Sequence, residues 1–172
     1  MEAAYKIIPM TLVVPETTNA AKTPFRDGRE EFERELRLNP GESYDLGNGL
    51  TARALKEGNG RGFFTWDHNV QEPSWGKKCL AVSGGIVFFH FKDPVSSVSF
   101  SYANVKTVGF LCHYYYQEKD GPRSDLILLP SNGDPLSPKD VSLSSERGIE
   151  YVAFGGYDHL DPLFIDNLKW AI

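Results

Sequence analysis

The chain has 172 residues, 41% of them hydrophobic and 13% aromatic, with a net charge of −5. That length allows one domain with a sizeable core, and the aromatic share suits a β-rich one. The acidic balance argues against nucleic-acid binding, which needs clustered Lys and Arg, and no run is long and apolar enough for a membrane span. Residues 5–14 predict a first strand, with Pro9 pointing to a sheet edge, and residues 15–24 read as a loop or linker. Glu30–Leu38 has the Glu and Arg content of a helix but the parity of a strand, and in this company we read it as a strand, ended by Asn39-Pro40-Gly41. Asn48-Gly49 and Asn59-Gly60 mark turns around Leu50–Leu55, and Phe63–Trp66 predicts a short strand.

Residues 67–78 are polar and turn-like. Three aromatic or β-branched runs follow, Cys79–Val82, Ile86–Phe91 and Val95–Tyr102, the last two separated by Asp93-Pro94. Val98, Phe100 and Tyr102 alternate with Ser97, Ser99 and Ser101, as in a half-buried strand. Val105–Tyr116 continues the pattern. After turns at 117–125 and 131–135 come Leu126–Leu129, Val141 with Leu143, Ile149–Phe154 and Phe164–Ile172. Many short strands at roughly ten-residue spacing with turns between them predict an all-β sandwich or barrel. Residues 1–24 would be an N-terminal strand and linker ahead of a single β-sandwich domain over 25–172.

In the closing strand, period-two alternation places Phe164, Leu168, Trp170 and Ile172 on one face, and Asp166 falls on it too. A buried carboxylate is costly unless a cation or several donors meet it. Arg34 shares parity with Phe32, Leu36 and Leu38 and is one such partner. A metal, backbone N–H groups or solvent are the others.

The order of pieces resembles the jelly-roll β-sandwiches of the galactose-binding-like superfamily, which include many carbohydrate-binding modules. Four pieces carry the resemblance, over about residues 30–172. They are the early Phe32-Glu33, the strand pair around Asp93-Pro94-Val95-Ser96-Ser97-Val98, the strand Gly148-Ile149-Glu150-Tyr151-Val152, and the closing Ile165-Asp166-Asn167-Leu168. The resemblance implies a jelly roll of two antiparallel sheets and a structural calcium near the sandwich edge. Its carboxylates would be Glu33 and Asp166, with Glu35 a lesser candidate. Where such modules often read Asp-Phe-Glu, this chain has Glu31-Phe32-Glu33.

Aromatic faces stack on sugar rings while polar neighbours take the hydroxyls. Trp66 and Trp75 bracket the polar loop Asp67–Ser74, and Tyr115 opposes Tyr114 and Tyr116 across its strand. We therefore expect ligand contacts at Trp66, Asp67, Trp75 and Tyr115, and Trp170 in the core. The loop Tyr157–Asp161, with carboxylates beside an aromatic ring, reads as a turn or a ligand contact.

No catalytic pattern stands out. There is no Gly-x-Ser-x-Gly, and the histidines show no metal-ligand spacing. Gly58–Gly62 lacks the Lys-Ser/Thr of a phosphate loop, and no two carboxylates are singled out for glycoside hydrolysis. The two cysteines, Cys79 and Cys112, read as free thiols or as one disulfide. Met1 is followed by a polar stretch without the h-region of a signal peptide. That fits a cytoplasmic protein, or an extracellular one whose leader was removed. The expected function is non-catalytic, lectin-like carbohydrate binding with a glycan or polysaccharide as partner. A protein-binding or assembly role on the same fold, including a homo-oligomer, is the alternative, and a glycan hydrolase a third.

Overall fold

The structure, a computed structural model, describes residues 27–55, 63–68, 70, 72–82, 85–103, 110–118, 121–129, 138–156 and 163–172. The expected strand over 5–14, the linker over 15–24, the turn at Asn59-Gly60 and the loop Tyr157–Asp161 lie outside these residues.

In chain order the strands are β1 (Gly28–Glu30), β2 (Arg37–Leu38), β3 (Ser43–Gly47), β4 (Leu50–Ala54), β5 (Phe63–Asp67), β6 (Lys78–Val82), β7 (Gly85–Ala103), β8 (Phe110–Glu118), β9 (Gly121–Leu129), β10 (Lys139–Gly156) and β11 (Leu163–Ala171). One 3-10 turn spans Pro73–Trp75. Every strand pair is antiparallel. The protein is an all-β jelly-roll sandwich. No helix among the described residues is long and apolar enough to cross a membrane.

Two long strands organise it. The runs Ile86–Phe91 and Val95–Tyr102, expected as separate strands, are one continuous β7. Its first part pairs with β4 from Val87 to Phe91, and its second part pairs with β11 from Ser97 to Ala103. Strand β10 accompanies it throughout, with register shifts between Ser144 and Tyr151. The first sheet is therefore β2-β5-β6-β11 followed by the second part of β7 and the start of β10, with β1 on β11. The second is β3-β4, the first part of β7, the end of β10, β8 and β9. Pro94, which has no N–H for a ladder, sits where β7 passes between sheets. Gly148 presses on it: a Cβ there would come 2.7 Å from the Pro94 Cβ, and its φ of +79° suits glycine alone.

The main core lies between the sheets. Phe154 takes edge-on contacts from Phe89 at 5.8 Å and Phe100 at 4.8 Å, and Phe91 packs on Trp170 at 5.7 Å. Alternation explains most of it: Leu50, Ala52 and Ala54 of β4 point in, whereas Thr51 and Arg53 point out. A second, smaller cluster of Trp75, Cys79 and Ala103 covers the outer face of the first sheet, with Val70 and Phe164 against it. Cys79 is a free, buried thiol whose pKa burial pushes well up, so it forms no disulfide. The side chain of Cys112 lies outside the described residues.

Two stretches depart from simple alternation. The strand expected over Glu30–Leu38 is β1 and β2 with an irregular segment between them, in which Phe32 has φ +54°. Phe32, Leu36 and Leu38 are buried as expected, but Arg34 is exposed and pairs with Glu30, not Asp166. In β11, Asn167 has φ +53° and the register against β7 slips between Asp166 and Lys169. This bulge resets the parity. Ile165, Leu168 and Trp170 face the main core, while Phe164 packs against the outer cluster and Ile172 is exposed. Asp166 thus shares its face with its register partner Ser101, outside the first sheet.

Candidate functional site

Asp166 is 1% exposed. Its Oδ1 accepts the N–H of Asn167 at 2.7 Å, and its buried Oδ2 has no hydrogen-bond partner. Burial pushes this carboxyl up to about 8; the Asn167 N–H opposes the rise, the nearby Glu33 and Glu31 add to it, and Arg29 works against it. Around it, the chain arranges further carboxylates. Glu33 Oε1 accepts the N–H groups of Lys77 and Lys78 at 2.9 and 3.1 Å. That approach depends on Gly76, at φ +59°, where a Cβ would stand 2.1 Å from Glu33 Oε1. Glu30 accepts the Phe32 N–H at 2.7 Å and pairs with Arg34 at 2.8 Å. Arg29 pairs with Glu31 and donates to Asn167 Oδ1 at 2.8 Å. Arg29, Glu30, Glu31, Glu33 and Arg34 line an open hollow of about 460 Å3.

The negative charge of Glu33 is felt at Asp166, where it adds to the effect of burial. Glu35 is drawn elsewhere, to Lys78. Among the described residues no three His, Cys, Asp or Glu side chains are gathered as a ready metal set. Calcium takes about six to eight oxygens, many of them from backbone carbonyls and water, so two carboxylates do not bar it. The unpartnered buried Asp166 oxygen is the kind of donor such an ion takes.

The loop after β5 is tied down by His68. Its Nε2–H donates to the Trp75 carbonyl at 3.0 Å, its Nδ1 accepts the Val70 N–H at 3.1 Å, and its ring meets Trp75 edge-on at 5.4 Å. Trp75, expected to touch ligand, is fully buried instead and covers Cys79. Proline at the start of the 3-10 turn carries the chain inward, and the apolar face left by the small Cys79 and Ala103 accepts the indole. Trp66 is different: it is 53% exposed and leans edge-on against Phe64 at 5.9 Å. Asp67 is exposed too, and Lys78 Nζ bridges it and Glu35 at 2.8 and 2.7 Å. Asn69 and Gln71 of this loop lie outside the described residues.

A second polar and aromatic region occupies the outer face of the second sheet. His90 and Tyr151, both half-buried, stack at 4.4 Å with an interplanar angle of 17°. Burial holds the His90 imidazole below its ordinary pKa, against the opposing charge of Glu150, and so keeps it neutral. Burial and then Glu150 raise the Tyr151 phenol, with Arg53 opposing, and so keep its proton on. Thr51, His90, Tyr151, Tyr115 and Ser124 are successive register partners across five strands. Tyr115 thus takes a place in this row, although its side chain lies outside the described residues. The sequence reading missed His90 and Tyr151. Their parity was legible, since each alternates with core residues, Phe89 and Phe91 or Val152 and Phe154.

No protein-family model matches the chain, and no curated protein matches it. Among solved structures, the K2 cleaved adhesin domain of Lys-gingipain is similar with a TM-score of 0.56 at 15% identity, over 85% of this chain and 99% of that one. The C-terminal family 22 carbohydrate-binding module of Clostridium thermocellum Xyn10B gives 0.49 at 13% identity, over 83% of this chain and 94% of that one. The CBM22-1 xylan-binding domain of Paenibacillus barcinonensis Xyn10C gives 0.47 at 14%, over 78% and 97%. The likeness to the adhesin domain shows a shared fold, the β-sandwich that the sequence predicts.

Proposed function

We propose that the protein is a non-catalytic carbohydrate-binding module, formed by residues 25–172, that holds a glycan on the outer face of its second sheet. The observation that carries this reading is the stacked His90–Tyr151 pair, half-exposed and flanked by Arg53 and Glu150. Paired rings offer an apolar surface to the C–H face of a pyranose, and the neighbouring guanidinium, carboxylate, imidazole and phenol groups suit its hydroxyls. Tyr115, next in register, extends the row. A non-catalytic role is supported by the state of the clustered acids: Glu30 and Glu33 already accept backbone N–H groups.

Calcium is the second part of the proposal. Glu33 and Asp166 would hold it, supported by the unpartnered Asp166 Oδ2, and backbone oxygens would complete its shell. The ion would neutralise the clustered charge and brace the segment after β1 against the bulge in β11. It takes no part in recognition.

Isothermal titration and affinity electrophoresis of the full chain against a polysaccharide panel, including xylan and mixed-linked β-glucan, test the binding face. We expect Tyr151→Ala with His90→Ala to weaken binding at least about tenfold, or 1.4 kcal/mol, with an unchanged circular dichroism spectrum. Undiminished binding by the double variant would refute this face. Release of reducing ends from a bound polysaccharide would overturn the non-catalytic reading.

A further inference from the structure

Trp66 is the feature that neither the second-sheet face nor the carboxylate cluster uses. It is the most exposed large aromatic among the described residues, 53% against 44% for Tyr44, while Trp75 and Trp170 are 0% and 5% exposed. Its setting is ordered. Phe64, two residues earlier on the same side of β5, fixes the indole by an edge-on contact at 71°. On the inner flank its register partner is Cys79, which the buried Trp75 covers, and that of Phe64 is Ala81, so the indole stands beside a filled cluster and its own ring remains exposed. On the outer flank is the short edge strand β2, whose exposed Arg37 pairs in register with Phe64. At the strand end stands a held polar group, Lys78 clamped between Asp67 and Glu35. Both carboxylates raise the Lys78 pKa, so its charge is fixed.

The chemistry of this surface selects its occupant. A protein partner anchors on contiguous apolar area. Here one indole has Arg37 on its own side of the sheet, through the register with Phe64, while the Asp67–Lys78–Glu35 network stands at the end of the strand. The apolar side chains beyond it are mostly buried already, in the Trp75 cluster. A single ring face with a guanidinium on its side of the sheet and charged groups at the strand end matches one pyranose ring, C–H face on the indole and hydroxyls toward the polar groups. Strand β5 belongs to the first sheet and the His90–Tyr151 pair to the second, and both sets point outward. We infer that Trp66 forms a second glycan contact on the opposite side of the sandwich, so that one molecule can engage two polysaccharide chains. The inference rests on the glycan-binding reading given above. It adds avidity and cross-linking, which a module with one face lacks.

The test uses tryptophan fluorescence with iodide as quencher, because iodide reaches Trp66 and not the two buried indoles. The full chain is titrated with soluble xylan and mixed-linked β-glucan, as wild type, Trp66→Ala and the His90→Ala/Tyr151→Ala double variant. We expect polysaccharide to abolish most iodide quenching in the wild type, and to do so in the double variant as well. We expect the wild type to precipitate the polysaccharide by cross-linking, and Trp66→Ala to lose that precipitation. Binding without any protection of Trp66, or precipitation undiminished in Trp66→Ala, would overturn the second contact and leave the first face standing. Protection that depends on protein concentration alone would assign Trp66 to self-association and overturn the inference. An absence of binding to either polysaccharide would remove the reading beneath it.

Discussion

Asp166 and Asp67 are the same residue in opposite circumstances. Asp67 sits at the rim with its side chain 79% exposed, and the Lys78 hydrogen bond and charge hold its carboxyl below the ordinary range. Asp166 is buried, has one oxygen without a partner, and is pushed up to about 8 by desolvation. The rim satisfies its charge within the chain. The cluster at the bulge of β11 leaves one oxygen without a partner in the chain, and the proposed cation would be its answer. Charge alone is therefore a poor marker of a site; what matters is whether the fold has already answered it.

The sharpest way to break this comparison is to supply or remove the cation. Calcium at a thousand times its dissociation constant adds about 4 kcal/mol to stability, roughly 10 °C in melting temperature for a domain of this size. Asp166→Asn should erase that response, and Asp67→Asn should leave it intact. Identical melts of the wild type in EDTA and in calcium would return Asp166 to the status of a buried acid that keeps its proton.

Titration follows from the same contrast. In EDTA, Asp166 is protonated in the folded protein up to about pH 8, whereas in the unfolded chain it ionises near 3.8, the ordinary value for an aspartate. The folded state then binds more protons across that window. Its stability is greatest at the acidic end and is lost as pH rises toward 8. Melts across this range in EDTA should show the slope in the wild type and a shallower one in Asp166→Asn.

A smaller effect is expected at Gly76, whose left-handed backbone lets Glu33 reach the Lys77 and Lys78 amides. Gly76→Ala should cost about 1–3 kcal/mol and weaken the calcium response, read by chemical denaturation with and without the ion. Smallest of all is Asp67→Ala. The exposed Lys78 network should be dispensable, and the melting temperature should hold.

Much of the architecture was legible in the sequence because alternation is a local signal. Val98, Phe100 and Tyr102 were assigned correctly to the core, and Asp166 is buried as its apolar sequence neighbours suggested, though on the other face from Leu168 and Trp170. What escaped were the places where one residue resets the count. Phe32 and Asn167, both at positive φ, turned Arg34 outward and moved Asp166 to the other side of its sheet. Nothing in a residue's own propensity announces such a step, since a bulge is chosen by the partner strand. Trp75 escaped for a related reason: the cavity it fills is made by two small residues, Cys79 and Ala103, from two separate strands. His90 and Tyr151 are far apart in the chain, and only the register of two long strands, itself adjusted by the shifts in β10, brings their rings together.

Strands β7 and β10 run unbroken through both sheets, and this has a mechanical consequence. In a sandwich whose layers meet only through side chains, a pull that separates the layers works against packing alone. Here it must also act along two continuous covalent chains, paired side by side over Ser97–Tyr102 with Lys139–Ser144 and over Gly85–His90 with Tyr151–Gly156, the register slipping in between. Load entering at one face passes to the other in shear, through many hydrogen bonds strained together and not one at a time. A module tethered to a polymer under tension would hold its shape for that reason, and the bend at Pro94 and Gly148 is where such a load would first be felt.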